Sequence, residues 1–554
     1  MTLRKVMSTA LVLSLVGTAA IGCGKKDETQ TPGTGTGGST AAQELKINFA
    51  AEPPALDVSK ASAAASFNIL NAVHEGLYRL DKDGKPTPGL AKDMPKVSAD
   101  GLTYTITLRD ANWSDGTPVT ANDFVYSFQR TLDPTTKAEY AFVIAWIKGG
   151  DAIMKAKTPE EIEAKKKELG AVAKDDKTLE ITLEKPVAFF TEILAFLNYF
   201  PQKESFVKPL GEKNGADADK VIGAGPYKLT KWNHEQSLEL VKNDKYWDAA
   251  NVKLEKITVN IVKDTNSGLN LYETGQADLS ELKGDQYQAY QGKPDLTIKK
   301  ELTNVYLEFQ EKKVPAFANA KVRAALSMAI DRKGFVDTVI SNGSVPSTGL
   351  VPGGTSDGNG NEFRTVTAKN NVQAPFDAAK AKQLLQDGLK ELNMAALPQI
   401  KLLGDDTETS KKSLEFIIEQ WRKNLGVDAI TEPIPHKLRL DRSEKHEFDV
   451  VLSLWGADYN DPMTFLDMFL SDNPFNRGQW VNKQYDELIK KADKEIKPAD
   501  RAKLLADAEK ILLDEAGVAP IYFRSRPYAL RPNVQNLILP PFGPEWELRW
   551  TSIK

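Results

Sequence analysis

The chain of 554 residues has one cysteine and four histidines. A single thiol cannot form an internal disulfide, and a cysteine-rich metal site is excluded with it. The histidines, His74, His234, His436 and His446, stand far apart, with no HExxH pair, and no GxSxG motif occurs, so the common metalloprotease and serine-hydrolase signatures are absent. Charge of one sign is also lacking. The formal net charge is −4, and losing Arg4 and Lys5 with an N-terminal signal makes it more negative, which leaves no basic surface for nucleic acid. Apart from one stretch near the start, no apolar run is long enough to suggest a membrane span. Hydrophobic residues at 41% and charged residues at 27% are ordinary for a soluble globular protein. The length exceeds one core of roughly 100 to 200 residues. Two or three lobes are expected.

The exceptional stretch is N-terminal. Arg4-Lys5 is followed by the mostly apolar Val6 to Ile21 and then Gly22-Cys23, the layout of a secretory signal rather than of a membrane span. Ala20-Ile21-Gly22-Cys23 resembles a bacterial lipobox, with alanine where leucine is usual. That resemblance implies cleavage after residue 22 and diacylation of Cys23. Residues 23–43, with GTGTGG and several threonines, have the composition of a flexible tether. Gly33, Gly35 and Gly38 spell GxGxxG, but no strand precedes them and no helix pattern follows, so a dinucleotide site is not expected.

Beyond the tether, Leu45 to Ala50 reads as a strand, and Leu102, Tyr104, Ile106 and Leu108 alternate with polar residues as a half-buried one. Thr120 and Asp123 are spaced as a capping box for a helix over Phe124 to Leu132. The charged stretch Ala152 to Leu169 reads as a solvated helix. A strand at Gln399 to Leu403, helical spacing of Leu414, Ile417, Ile418, Trp421 and Leu425, a terminating Gly426 and a strand from Val427 make a strand, helix, strand unit, and hence a parallel sheet. Asp357-Gly358-Asn359-Gly360-Asn361 lacks the closing glutamate of a calcium loop and reads as a surface loop.

The organising stretch is Phe448 to Asp472. Phe448 to Trp455 has the composition of a strand buried on both faces, and Pro462 to Leu470 has helical spacing with Asp461 as N-cap. Asp458 then lies just beyond the carboxyl end of a strand, where α/β folds bind ligands. The following helix dipole is expected to hold it ionised. Asp458 could alternatively act as a second cap or pair with a protein lysine.

Trp455-Gly456-Ala457-Asp458-Tyr459-Asn460-Asp461-Pro462, together with Trp113 to Thr120 and Asp123 to Ser127, resembles the oligopeptide-binding proteins of ABC importers, solute-binding family 5, over about Leu45 to Lys554. The resemblance implies an α/β, two-lobed periplasmic-binding-protein-like fold with a hinge and an inserted accessory subdomain. It places an N-lobe at 44–76, 201–303 and 527–554, the accessory subdomain at 77–200, and a second lobe at 304–526, with crossings near Glu301 to Thr303 and Arg524 to Tyr528. It implies that Asp458 pairs with a peptide's α-ammonium, that backbone around Leu454 and Gly456 bonds the peptide, and that Trp455 and Tyr140 line the cleft beside the loop from Glu52 to Asp57. Tyr459 and Asn460 of the same motif join the ligand-binding set. Members of the enteric branch carry an arginine for the peptide carboxylate and an upstream tryptophan where this chain has Leu452 and His436. Arg439, Arg442 and Arg477 are candidates to reach a carboxylate from elsewhere, but none occupies the matching position.

These readings lead to a non-enzymatic, lipid-anchored, monomeric receptor on the extracytoplasmic face that passes oligopeptides to an ABC permease. No catalytic residue, metal site or cofactor is expected. The alternatives are a receptor for a dedicated ligand, such as a signalling peptide, a nickel chelate or haem, and a secreted hydrolase.

Overall fold

Two long strands, Leu296–Phe309 and Ala519–Leu530, lie side by side at the centre of an eleven-stranded sheet. The computed structural model describes residues 42–367 and 373–554; Cys23, the signal and most of the tether lie outside them. On one side of the central pair follow Val450–Gly456, Ile400–Asp405 and Ala429–Ile434, and on the other Leu279–Glu281, Glu44–Phe49, Lys256–Ile261, Ser237–Lys242 and Tyr227–Asn233. Val345–Pro346 adds an eleventh, short strand against Ala519–Leu530. The expected crossings fall within the two central strands.

The central pair is antiparallel with a break. Leu296 to Lys300 pair with Ala529 to Ser525, the register then shifts, and pairing resumes at Asn304. The interruption, Glu301 to Thr303, is braced by charge: Glu301 meets Arg524 at 2.5 Å and Arg526 at 3.0 Å, while Glu545 meets Lys299 at 3.1 Å and Arg526 at 3.0 Å.

The parallel unit forms as the sequence predicts. Ile400–Asp405 pairs in parallel with Ala429–Ile434, and helix Glu408–Leu425 joins them, ending at Gly426 with φ 72°. Glycine adopts that left-handed conformation at the least cost. The helix buries Leu414, Ile417, Ile418, Trp421 and Leu425, and Trp421 donates its indole N–H to Leu326 O at 2.8 Å.

A four-stranded antiparallel sheet, Lys96–Val97, Thr103–Thr107, Thr178–Thr182 and Ala171–Asp175, stands apart from the large one. Helix Ala121–Leu132 accompanies it with the predicted capping box complete on Thr120 and Asp123. The expected helix over 152–169 is two pieces, Gly150–Lys155 and Pro159–Lys166, because Pro159 starts a new helix with Thr158 as its cap.

Candidate functional site

Val450–Gly456 carries the site. Along one edge it pairs with Thr303 to Phe309 over its whole length; along the other it meets Ile400–Asp405 only at Val450 and Val451. From Leu452 onward that second edge has no strand partner among the described residues. The expectation of burial on both faces therefore fails at this end: Leu454 is 46% exposed and Gly456 is open to solvent, because the neighbouring strand has stopped. Gly456 sits opposite Thr303, where a Cβ would come within 3.2 Å of Thr303 Oγ1.

The chain then turns inward. Ala457 N–H donates to Leu302 O at 2.8 Å, and Asp458 N–H reaches Thr464 Oγ1 at 3.3 Å. No hydrogen-bond donor or ion-pair partner from the described residues reaches the Asp458 carboxylate. Burial pushes it up to about 6, which overturns the expectation that a helix dipole holds it ionised. The reason is length: the helix that follows is one turn, Met463–Leu466, continued by a 3-10 turn at Asp467–Phe469, and so short a run sums little dipole. Asp461 takes the dipole-facing role instead, accepting from Met463 N–H at 2.9 Å and holding Arg501 through both oxygens, at 2.6 and 2.8 Å.

Asp458 opens onto a small cavity of about 30 Å³ shared with Phe67, Phe196, Phe200, Phe542 and Glu192. Tyr140 packs edge-on to Phe196, with ring centres 5.3 Å apart. Its hydroxyl is pushed upward by burial first and by the charge of Asp458 second, so the structure brings Tyr140 and Asp458 together. Trp455 meets Phe475 edge-on at 5.0 Å, and its indole N–H is buried without an acceptor among the described residues. An unused buried donor beside a free strand edge is costly unless a ligand supplies the acceptor.

Two residues of the motif have their side chains engaged by protein. Tyr459 is buried and stacks on Phe189 at 4.3 Å with an interplanar angle of 5°. Asn460 accepts from Ser356 N–H at 2.9 Å. The loop after the first strand is likewise occupied: Glu52 accepts from Trp232 and from Glu235 N–H and meets His234, and Asp57 holds Arg130. Of the three arginines, Arg439 is paired with Asp405 at 2.6 Å and Arg442 with Glu432 at 2.9 Å. Arg477 lies over Phe475 at 5.6 Å and forms no ion pair with the described residues.

Glu192 was not among the residues singled out from the sequence. The signal was present: from Val187 to Phe200 the chain reads VAFFTEILAFLNYF, with Glu192 the one charged residue in an apolar stretch. No group of histidine, cysteine, aspartate and glutamate among the described residues is arranged to hold a metal ion.

A free strand edge and an uncompensated carboxylate thus lie together beside the central strands of the sheet. The profile of the bacterial extracellular solute-binding proteins, family 5, matches residues 85–477. The chain belongs to that family. Among its family 5 relatives, the dipeptide-binding protein DppE of Bacillus subtilis is 33% identical over 99% of this chain and 98% of that protein. The oligopeptide-binding protein OppA of the same organism is 32% identical over 96% of this chain and 95% of its own length. OppA of Listeria monocytogenes, solved bound to peptide, is 37% identical with a TM-score of 0.75, covering 93% of this chain and all of that one.

Proposed function

We propose that this family 5 protein is an extracytoplasmic receptor that binds oligopeptides between its lobes and delivers them to an ABC permease. The observation that carries the reading is the Asp458 carboxylate, partnerless at the end of a strand with a free edge. A peptide satisfies both features at once. Its α-ammonium supplies the missing cation, and its backbone adds to Leu452–Gly456 as another strand, a mode indifferent to side-chain identity. Leu454 and Gly456 contribute backbone, and Trp455 and Tyr140 contribute flat surface, with the Trp455 N–H as a further donor. Tyr459 and Asn460 hold the Asp458 turn in place through Phe189 and Ser356.

The relatives' names support the same class, since those of Bacillus subtilis are dipeptide- and oligopeptide-binding proteins. The lobes follow the division 44–76 with 201–303 and 527–554, an accessory subdomain 77–200, and 304–526. Apolar cores around Ile47, Leu240 and Ile257 and around Leu326, Leu402 and Ile417 lie within the N-lobe and the second lobe, while a third runs from Phe124 and Leu179 of the accessory subdomain to Leu466 and Leu505 of the second lobe. The receptor is a monomer held to the membrane through acyl chains on Cys23, two chains being enough for stable anchoring. No helix of the described residues is long and apolar enough to cross a membrane.

Native mass spectrometry of the protein incubated with a mixed peptide pool tests the receptor reading. Varied intact peptides are expected. A single retained ligand would point to a dedicated receptor, and cleaved products to a hydrolase. Cys23→Ala is expected to move the protein from the membrane to the soluble fraction; an unaltered protein that is already soluble and unacylated would end the anchoring proposal.

A further inference from the structure

The cavity between the lobes is faced by two carboxylates that no cation among the described residues pairs. Asp458 comes from the strand side, and Glu192 comes from the helical turn Phe190–Ile193. Glu192 Oε2 has lost its solvent contact and finds no hydrogen-bond partner among the described residues. The nearest cation, Arg501, gives both terminal nitrogens to Asp461 at 2.6 and 2.8 Å, so it is spent on another anion. Burial raises both carboxyls, Glu192 to about 7.

The other polar side chain lining the cavity, Asn71, is engaged by the protein through a hydrogen bond from its Nδ2 to Glu547 at 3.1 Å. The rest of the wall is largely apolar, with the rings of Phe67, Phe196, Phe200 and Phe542 prominent. A flexible methylene chain with an ammonium group at each end matches the chemistry of this lining, because its stem covers apolar surface while its ends find anions, and an ammonium passing an aromatic face is attracted by it; at about 30 Å³ the cavity admits such a chain only when the lobes move apart.

We propose that Glu192 makes the cleft selective for peptides that begin with lysine, the α-ammonium meeting Asp458 and the side-chain ammonium meeting Glu192. This rests on the peptide-receptor reading and deepens it. The backbone strand addition continues to accept any sequence further along, while the first residue is read by charge.

Calorimetry on lysyl-alanyl-alanine and norleucyl-alanyl-alanine tests it, since the two differ in the terminal amine of the first side chain. The lysyl peptide is expected to bind the unaltered protein about tenfold or more tightly, the scale of one charge-assisted hydrogen bond. In Glu192→Gln that ratio is expected to fall to about one, with the variant's melting curve recorded to confirm that it folds. Equal affinities in the unaltered protein, or a ratio that survives in the variant, would overturn the selectivity while leaving the receptor reading intact. Failure of both peptides to bind would overturn both.

Discussion

Asp458 destabilises the fold that carries it. Its carboxyl rises from the ordinary 3.8 to about 6 on burial, so between those values the folded protein binds a proton that the unfolded chain does not. Stability is therefore lost as pH rises through this window, and the full penalty, about 1–3 kcal/mol, is present above pH 6. Asp458→Asn is expected to raise the melting temperature of the ligand-free protein at pH 7, with the gain gone at pH 4, as scanning calorimetry would show. The same substitution should weaken a free-amine peptide about 10²- to 10³-fold, the scale of removing one partner from a buried ion pair. In the unaltered protein, affinity for such peptides should fall as pH drops below about 6, because the carboxylate must first lose a proton. A pH-independent affinity between pH 4 and 8 would remove Asp458 from the site. At this scale the sequence singled out Asp458 and Trp455 as candidates through a short contiguous motif. It did not reveal Glu192 or Phe542, since their proximity depends on how distant segments pack. Its reading of the carboxylate's charge erred because motif spacing marks where a helix starts and says little about its length.

At the scale of elements, the proposed function has a peptide held along the free edge of Val450–Gly456. Backbone amides there that the ladder with Thr303 to Phe309 leaves unused should gain protection from hydrogen exchange when peptide binds. Unchanged exchange across Leu452 to Gly456 under saturating peptide would place the ligand elsewhere. The two ends of the peptide should behave differently. N-acetylation removes the cation that Asp458 needs and should abolish measurable binding. C-amidation should matter little, because Leu452 cannot pair with a carboxylate and Arg439 and Arg442 are already bound to Asp405 and Glu432. Loss of binding on amidation would mean that a cationic partner for the carboxylate exists. The strand, helix, strand unit and the capping box were readable in advance because each is specified by residues close in sequence. The free edge was not, since it depends on where Ile400–Asp405 stops pairing.

For the whole molecule, the interrupted pairing at Glu301 to Thr303 gives the two central strands a place to bend while the ladders on either side stay intact. Small-angle scattering should show a smaller radius of gyration with saturating peptide than without it. An unchanged radius would mean that the lobes do not close on binding. The crossings implied by family resemblance coincide with the two central strands, whereas the continuity of one sheet through both halves was not legible, because strand order is a long-range property that periodicity does not encode.

That continuity leaves the sheet with two outer strands. Ala429–Ile434 includes Pro433, which has no N–H to offer, and Tyr227–Asn233 carries Lys228 and Lys231 around a shift of register between Leu229 and Lys231. Both features discourage pairing between copies. Pro433→Val should accordingly raise light scattering in concentrated solution while peptide affinity stays the same. At high protein concentration these margins govern colloidal behaviour, and damage to them would show first as turbidity rather than as a failure to bind peptide.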